Sequence, residues 1–199
     1  DIGLDLSFLD GRVSVIADYY SKNTTDLLVS RPVPTTSGFA SIWDNVGSVK
    51  NAGAELQLTT VNFRSKGRGG FDWTTDVNLS HNANKVTALY QDQPFASGIG
   101  GVNYVAIGQP IGVFFTQKFI GVDPQTGDAQ YQKKDGTITK SPVSADRQYV
   151  GSPHPKYFGG VRNTMTWRNL DLNVFVQFSQ GAKVFDLFGR LQKGVEDAN

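Results

Sequence analysis

Apolar and polar side chains alternate from Leu170 to Ser179: Leu170, Leu172, Val174, Val176 and Phe178 share one face, and Asp171, Asn173, Phe175, Gln177 and Ser179 the other. A period of 2 marks a strand whose two faces meet different surroundings. The preceding residues carry the same pattern, with Tyr157, Gly159, Val161, Met165 and Trp167 on one side and Arg162, Thr164 and Thr166 on the other; Asn163 breaks it. A two-residue turn at Arg168-Asn169 pairs Trp167 with Leu170, Met165 with Leu172 and Val161 with Val176, so turn and faces demand the same register. Each arm has about 10 residues, the length a tilted strand needs to cross a bilayer and well beyond the usual strand of a soluble protein.

The start of the chain repeats this design over residues 1–23. Ile2, Leu4, Leu6 and Phe8 alternate with polar residues, Asp10-Gly11 supplies a hairpin turn, and Val13, Val15, Ala17 and Tyr19 follow. That turn sets Phe8 opposite Val13, Leu6 opposite Val15, Leu4 opposite Ala17 and Ile2 opposite Tyr19, with Ile16 out of place on the polar side. A third strand over 51–63 shows Ala52, Ala54, Leu56 and Leu58 against Gly53, Glu55 and Gln57. A fourth over 71–83 shows Phe71, Trp73, Thr75, Val77 and Leu79 against Asp72, Thr74, Asp76, Asn78 and Ser80. Joining their apolar faces requires partners whose numbers sum to an odd value, such as Leu56 with Val77. Between these strands the alternation fails over 24–50 and 84–156, which predicts two long connections, the second holding local strands of its own. Phe185, Leu187, Phe188 and Leu191 recur at near-helical spacing, which suits a short helix or another loop.

Short connections after Leu9, Phe63 and Trp167 therefore alternate with long ones after Asn23 and Ala83, and aromatic residues gather at both strand ends. Outer-membrane barrels have this asymmetry, with short turns on one side and long loops on the other. The predicted fold class is all-β, an antiparallel transmembrane β-barrel segment with long extracellular loops. The alternative is a soluble or secreted carbohydrate-binding β-sandwich, which also alternates; a glycoside-active all-β enzyme is a third, weaker reading.

Composition narrows the choice. Of 199 residues 39% are hydrophobic, and no apolar run approaches the roughly 20 residues of a spanning helix, which excludes a helical membrane protein but not a barrel, whose strands are half polar. No cysteine is present, so disulfide scaffolds and zinc ribbons are excluded. The 19 basic and 18 acidic residues are interspersed, leaving no polybasic field for nucleic acid. The first residues read as the middle of a strand, so the chain is expected to be a fragment of something longer.

Four blocks resemble the C-terminal half of the SusC/RagA-type TonB-dependent outer-membrane transporters: RVSVIADYYSKNTTDLL from Arg12, NVGSVKNAGAELQL from Asn45, IGQPIGVFFTQKFIGVD from Ile107, and DRQYVGSPHPKYFGGVRNTMTWRNLDLNVFVQFSQG from Asp146. The resemblance implies part of a barrel of about 22 strands in a Bacteroidetes-type, Gram-negative outer membrane. It further implies energising by TonB, capping by a SusD-like surface lipoprotein, import of oligosaccharides or peptides, and a plug domain that is absent from this chain. The family often carries an acidic segment between the third and fourth blocks. Here Asp123, Asp128, Asp135 and Asp146 are interrupted by Lys133, Lys134 and Lys140, so a plain turn at Asp135-Gly136 is expected ahead of a cation site.

Candidate chemistry is sparse. His81 and His154 are the only histidines, and with no cysteine beside them neither a metal site nor a catalytic triad is predicted; GQPIG and GVNYVAIG lack the context of phosphate loops. No catalytic residue, cofactor or metal is expected. On the polar faces Asp18, Glu55, Asp72, Asp76 and Arg162 are expected to line a wet lumen rather than to act as an acid/base pair. Trp43, Tyr104, Phe114, Phe115, Phe119 and Tyr131 fall in the long connections. Trp43, Tyr104, Phe114, Phe115 and Tyr131 are the candidate substrate contacts, since exposed aromatic rings stack on sugars or pack against a partner lipoprotein.

Overall fold

In the computed structural model, residues 1–67, 69–98 and 101–186 are described. Six long strands form one antiparallel sheet: β1 (Ile2–Phe8), β2 (Val13–Pro32), β3 (Ser41–Phe63), β4 (Phe71–Ala88), β12 (Tyr157–Trp167) and β13 (Leu170–Gln180), in that spatial order. Two of the three hairpins take the predicted registers. Ile2 faces Tyr19 and Phe8 faces Val13, with Asp10 and Gly11 both at positive φ and the Arg12 N–H donating to the Leu9 carbonyl at 3.1 Å. Trp167 faces Leu170 and Val161 faces Val176. The middle hairpin meets the odd-sum requirement of the joined apolar faces, with Leu56 facing Leu79 and Val77 facing Leu58, two residues from the illustrative pairing of Leu56 with Val77. A two-residue shift leaves every side chain on its own face, so the alternation cannot detect it; the turn and an irregularity between Val61 and Phe63 set the register instead.

The connection expected over 24–50 is mostly paired strand. β2 and β3 stay together from Thr24 opposite Val49 to Pro32 opposite Ser41, leaving residues 33–40 as the loop, with a single 3₁₀ turn at Thr35–Ser37. Alternation reports unlike faces, not pairing, and the register shifts between Thr24 and Leu28, with Asp26 at φ +57°, scramble which side chain points where. β4 likewise runs past the predicted end to Ala88.

The second connection folds into short strands: β5 (Phe95–Ser97), β6 (Asn103–Val105), β7 (Val113–Thr116), β8 (Lys118–Val122), β9 (Ala129–Gln132), β10 (Ile138–Thr139) and β11 (Gln148–Gly151). They build a four-stranded sheet in the order β11-β7-β6-β5 and a three-stranded sheet in the order β10-β9-β8. Val49 within β3 and Val86 near the end of β4 pack with Leu89 and Val105 into a small core, against which Leu27 and Phe95 also pack. The proposed tail pattern falls largely at Leu187, Phe188 and Leu191, outside the described residues.

Register sorts the wall into two faces. One row of facing residues runs Leu6, Val15, Leu58, Val77, Val161 and Val176; the next, on the opposite face, runs Asp5, Ile16, Gln57, Asn78, Gly160 and Gln177. Both faces are open: Leu56 is 40% exposed on one side, and every residue of β13 is exposed. A β-sandwich would bury one of these faces against a second sheet, so that alternative is not the fold. The sheet is a barrel wall segment that does not close on itself among the described residues.

Candidate functional site

The polar face of the wall is built by strand period alone. Asp18 on β2 lies directly opposite Glu55 on β3, which lies opposite Ser80 on β4. Two rows away, Asp76 sits between Thr59 and Arg162 and accepts a hydrogen bond from the Thr59 hydroxyl at 2.8 Å. Asp72, opposite Thr166, accepts from the Ser65 N–H at 2.9 Å and so fixes the short turn between β3 and β4. The Arg162 guanidinium lies 5.4 Å from the ring centre of its cross-strand neighbour Phe175. Glycines make room for rings on this face. A Cβ at Gly53 would run into Tyr20, whose hydroxyl donates to the Asn82 side-chain amide oxygen Oδ1, and a Cβ at Gly160 would meet Phe175. The five polar residues predicted for one face are therefore brought together on it.

The candidate aromatic contacts do not form one site. Tyr104 and Phe115 stack at 4.7 Å, Tyr149 extends the stack 5.0 Å from Phe115, and the Arg147 guanidinium covers Tyr104 and Phe115 at 5.3 and 5.0 Å. Arg147 also donates to the main-chain carbonyls of Phe115 and Gly101, so it locks β11 to β7 and to the residues before β6. Phe114, next in sequence to Phe115, is buried, 6.5 Å from Phe185. Tyr131 packs edge-on with Phe119 in the β8–β10 sheet, and Trp43 stands on β3 opposite Ser30, 74% exposed. Arg147 and Tyr149 carry no sequence signal, one just before and the other on a strand of four residues, too short for a period to be read.

In the β8–β10 unit the Lys140 ammonium lies 2.7 Å from Asp123 and 2.9 Å from Asp128, and donates to the Thr126 hydroxyl at 2.8 Å. A lysine thus occupies the position between the acids that a cation would take. Its hydrogen bond, with that of the Gln125 N–H, holds the Asp123 carboxyl down at about 2; Thr126 and then Lys140 lower Asp128. Asp135 accepts from both the N–H and the hydroxyl of Thr137, with Gly136 at φ +87°, an Asp-Gly turn as expected. The histidines bind main chain: His81 Nδ1 is 2.6 Å from the Lys156 carbonyl oxygen, and His154 Nε2 is 3.0 Å from that of Ile111. Among the described residues no group of three or more His, Cys, Asp or Glu is placed to hold a metal ion.

Comparison with known proteins agrees with this architecture. Residues 1–192 match the model of the TonB dependent receptor-like, beta-barrel family. TonB-dependent receptor P26 of Formosa agariphila is 34% identical over 206 residues, covering 94% of this chain and 20% of that protein. TonB-dependent receptor SusC of Bacteroides thetaiotaomicron is 35% identical over 88 residues, covering 44% of this chain and 8% of SusC. A solved structure of the RagAB peptide transporter superposes with a TM-score of 0.78 at 26% identity, over 90% of this chain and 20% of that one. The chain thus spans about a fifth of the length of the first of these curated relatives. With its matching strands, register and sequence, the chain belongs to the TonB-dependent receptor β-barrel family and is a barrel segment of the SusC/RagA type.

Proposed function

We propose that this chain is wall and entrance loops of an outer-membrane, TonB-dependent importer of oligosaccharides or peptides. The observation that carries the reading is the register that sorts six strands into one polar and one apolar face. The apolar face meets lipid, where only a closed barrel satisfies every main-chain group. The polar face, with Asp18, Glu55, Asp72, Asp76 and Arg162, lines the hydrated lumen. The layer of short strands, packed on Val49 and Val86 at the lumen side of β3 and β4, sits at the outer entrance. There the stack of Tyr104, Phe115 and Tyr149 and the exposed Trp43 offer rings to a sugar or to a SusD-like lipoprotein partner. A plug domain and the TonB contact belong to other parts of such a protein, and the energy comes through TonB.

Uptake tests this. Cells lacking the full-length parent protein and cells complemented with it are given fluorescent oligosaccharides and oligopeptides, with and without collapse of the proton gradient. The expected result is uptake of one class that needs both the protein and the gradient. Uptake of neither class, or uptake indifferent to the gradient, would contradict the reading.

A further inference from the structure

Lys50 on β3 and Lys85 on β4 are direct cross-strand partners. Their Cβ atoms are therefore about 5 Å apart, and like charges so placed repel. The pairing runs without interruption from these lysines to Leu58 opposite Val77, which puts them on the apolar face. Their sequence neighbours Val49 and Val86 are buried on the other side, in the core under the loop layer, so both lysines project outward and are exposed.

Among the described residues no ion pair joins either lysine to an acid. Asp5, Asp18, Glu55, Asp72, Asp76 and Asp171 all lie on the polar face of the strands. Asn23 completes the lysine row, and Ser21, Ala52 and Ala83 form the row below it. One row further down comes Tyr19, Ala54 and His81, with the Tyr157 ring 5.1 Å from that of His81. A cavity of about 550 Å³ opens at that level, bordered by Tyr19, Ala54, Leu56, His81 and Tyr157. Alanine floors it and tyrosines flank it, at the wall height where amphipathic rings mark a membrane interface. From Ala54 to Lys50 is four residues, about 13 Å of strand, so the charges stand at headgroup level above an apolar notch.

We infer that Lys50 and Lys85 bind the phosphate of an anionic membrane lipid whose acyl chain fills the notch over Ala54. The inference rests on the apolar face meeting lipid. Two ammonium groups converging from adjacent strands can reach one phosphate, which removes their mutual repulsion; the long stems lie along the wall and keep the charges in the headgroup zone.

The full-length parent protein in detergent, titrated with dioleoylphosphatidylglycerol or dioleoylphosphatidylcholine and read by native mass spectrometry, tests this. Wild type is expected to retain the anionic lipid in preference. The Lys50→Gln/Lys85→Gln double variant should lower that preference about 30-fold, the attraction of two basic residues at a membrane surface, and Lys50→Arg/Lys85→Arg should keep most of it. Ala54→Trp, which fills the notch without touching the lysines, should weaken retention of both lipids. An unchanged preference in the Gln variant, or displacement of the lipid by an equal concentration of inorganic phosphate, would overturn the inference. Failure of the barrel reading is separable. Water-facing behaviour of Val77 in cysteine labelling removes both, whereas alternating labelling with an unchanged preference removes this inference alone.

Discussion

In the wall, β1 to β4 with β12 and β13, apolar side chains as large as Ile2, Leu170 and Val176 stand 74%, 67% and 59% exposed. In the outer layer of short strands Val102, Val105, Ala106, Val113 and Phe114 are buried, and the wall joins the layer through Val49 and Val86, with Leu27 packed beside them. The layer therefore encloses a core within this chain and is pinned by side chains such as Arg147, which bonds the main-chain carbonyls of Phe115 and Gly101. The wall encloses none. Its strands are held by a ladder of main-chain hydrogen bonds, and in the proposed setting a surrounding apolar phase takes the place of a core. One part is organised inward and the other outward, and perturbations should separate them.

The largest effect is expected at Val77. Its row, Leu6, Val15, Leu58, Val77, Val161 and Val176, is apolar across all six strands, so Val77→Arg should cost about 2 to 4 kcal/mol in lipid and Asn78→Arg far less. Val174→Arg should cost less than Val77→Arg, because its row holds Asn163, Thr75 and Thr60 as polar partners. Denaturant unfolding of the parent protein in vesicles measures all three, and equal tolerance would erase the distinction between faces.

In the outer layer, Leu89→Ala should remove about 2 kcal/mol from local stability. Hydrogen exchange should then quicken at the Val86 and Gly108 amides, which pair with the Gln109 and Val86 carbonyls, while the amides of β12 stay protected. Loss of protection in both regions together would show a single cooperative unit instead.

A smaller effect is expected at Asn163, a polar residue within the apolar face. Asn163 accepts hydrogen bonds from Trp73 Nε1 at 3.0 Å and from the Thr75 hydroxyl at 2.7 Å, and Thr75 in turn accepts from the Asn62 amide. Asn163→Val leaves two donors without their acceptor and should cost about 1 to 2 kcal/mol despite being the more apolar residue. A stabilised variant would mean that this network contributes nothing.

The smallest effect is a pH dependence confined to β8–β10. Because the folded-state value of Asp123 is held at about 2, below its ordinary 3.8, its contribution is complete above that ordinary value and is lost as pH falls through the lower one. Exchange at the Gly127 amide, which donates to the Asp123 carbonyl, should therefore quicken as pH drops from about 4 to about 2 beyond the intrinsic trend. Lys140→Gln should flatten that change, and an unaltered profile would mean that the ion pairs do not hold the turn.

The same contrast explains what the residues disclosed. Face membership of Asp18, Glu55, Asp72, Asp76 and Arg162 was legible, because alternation encodes it directly. So were the two hairpins closed by Asp10-Gly11 and Arg168-Asn169, where turn length leaves one register. Which polar residues meet, Asp18 with Glu55 or Asp76 with Arg162, needed the registers of β2 with β3 and of β4 with β12, which alternation leaves free to slide by any two residues. The pairing of Thr24–Pro32 with Ser41–Val49 was hidden for a related reason: it moves Trp43 from an expected loop onto a strand. Strands of two to five residues in the outer layer are held by turns and by side-chain bonds to main chain, which leave no repeating pattern.

The central claim is that one face of the wall meets lipid and the other water. None of the 199 residues is cysteine, so single cysteines placed in turn from Thr74 to Leu79 of the full-length protein report each position separately. In intact outer membranes a charged, membrane-impermeant maleimide should label positions 74, 76 and 78 and spare 75, 77 and 79. Uniform labelling along the strand, or the opposite alternation, would contradict the account.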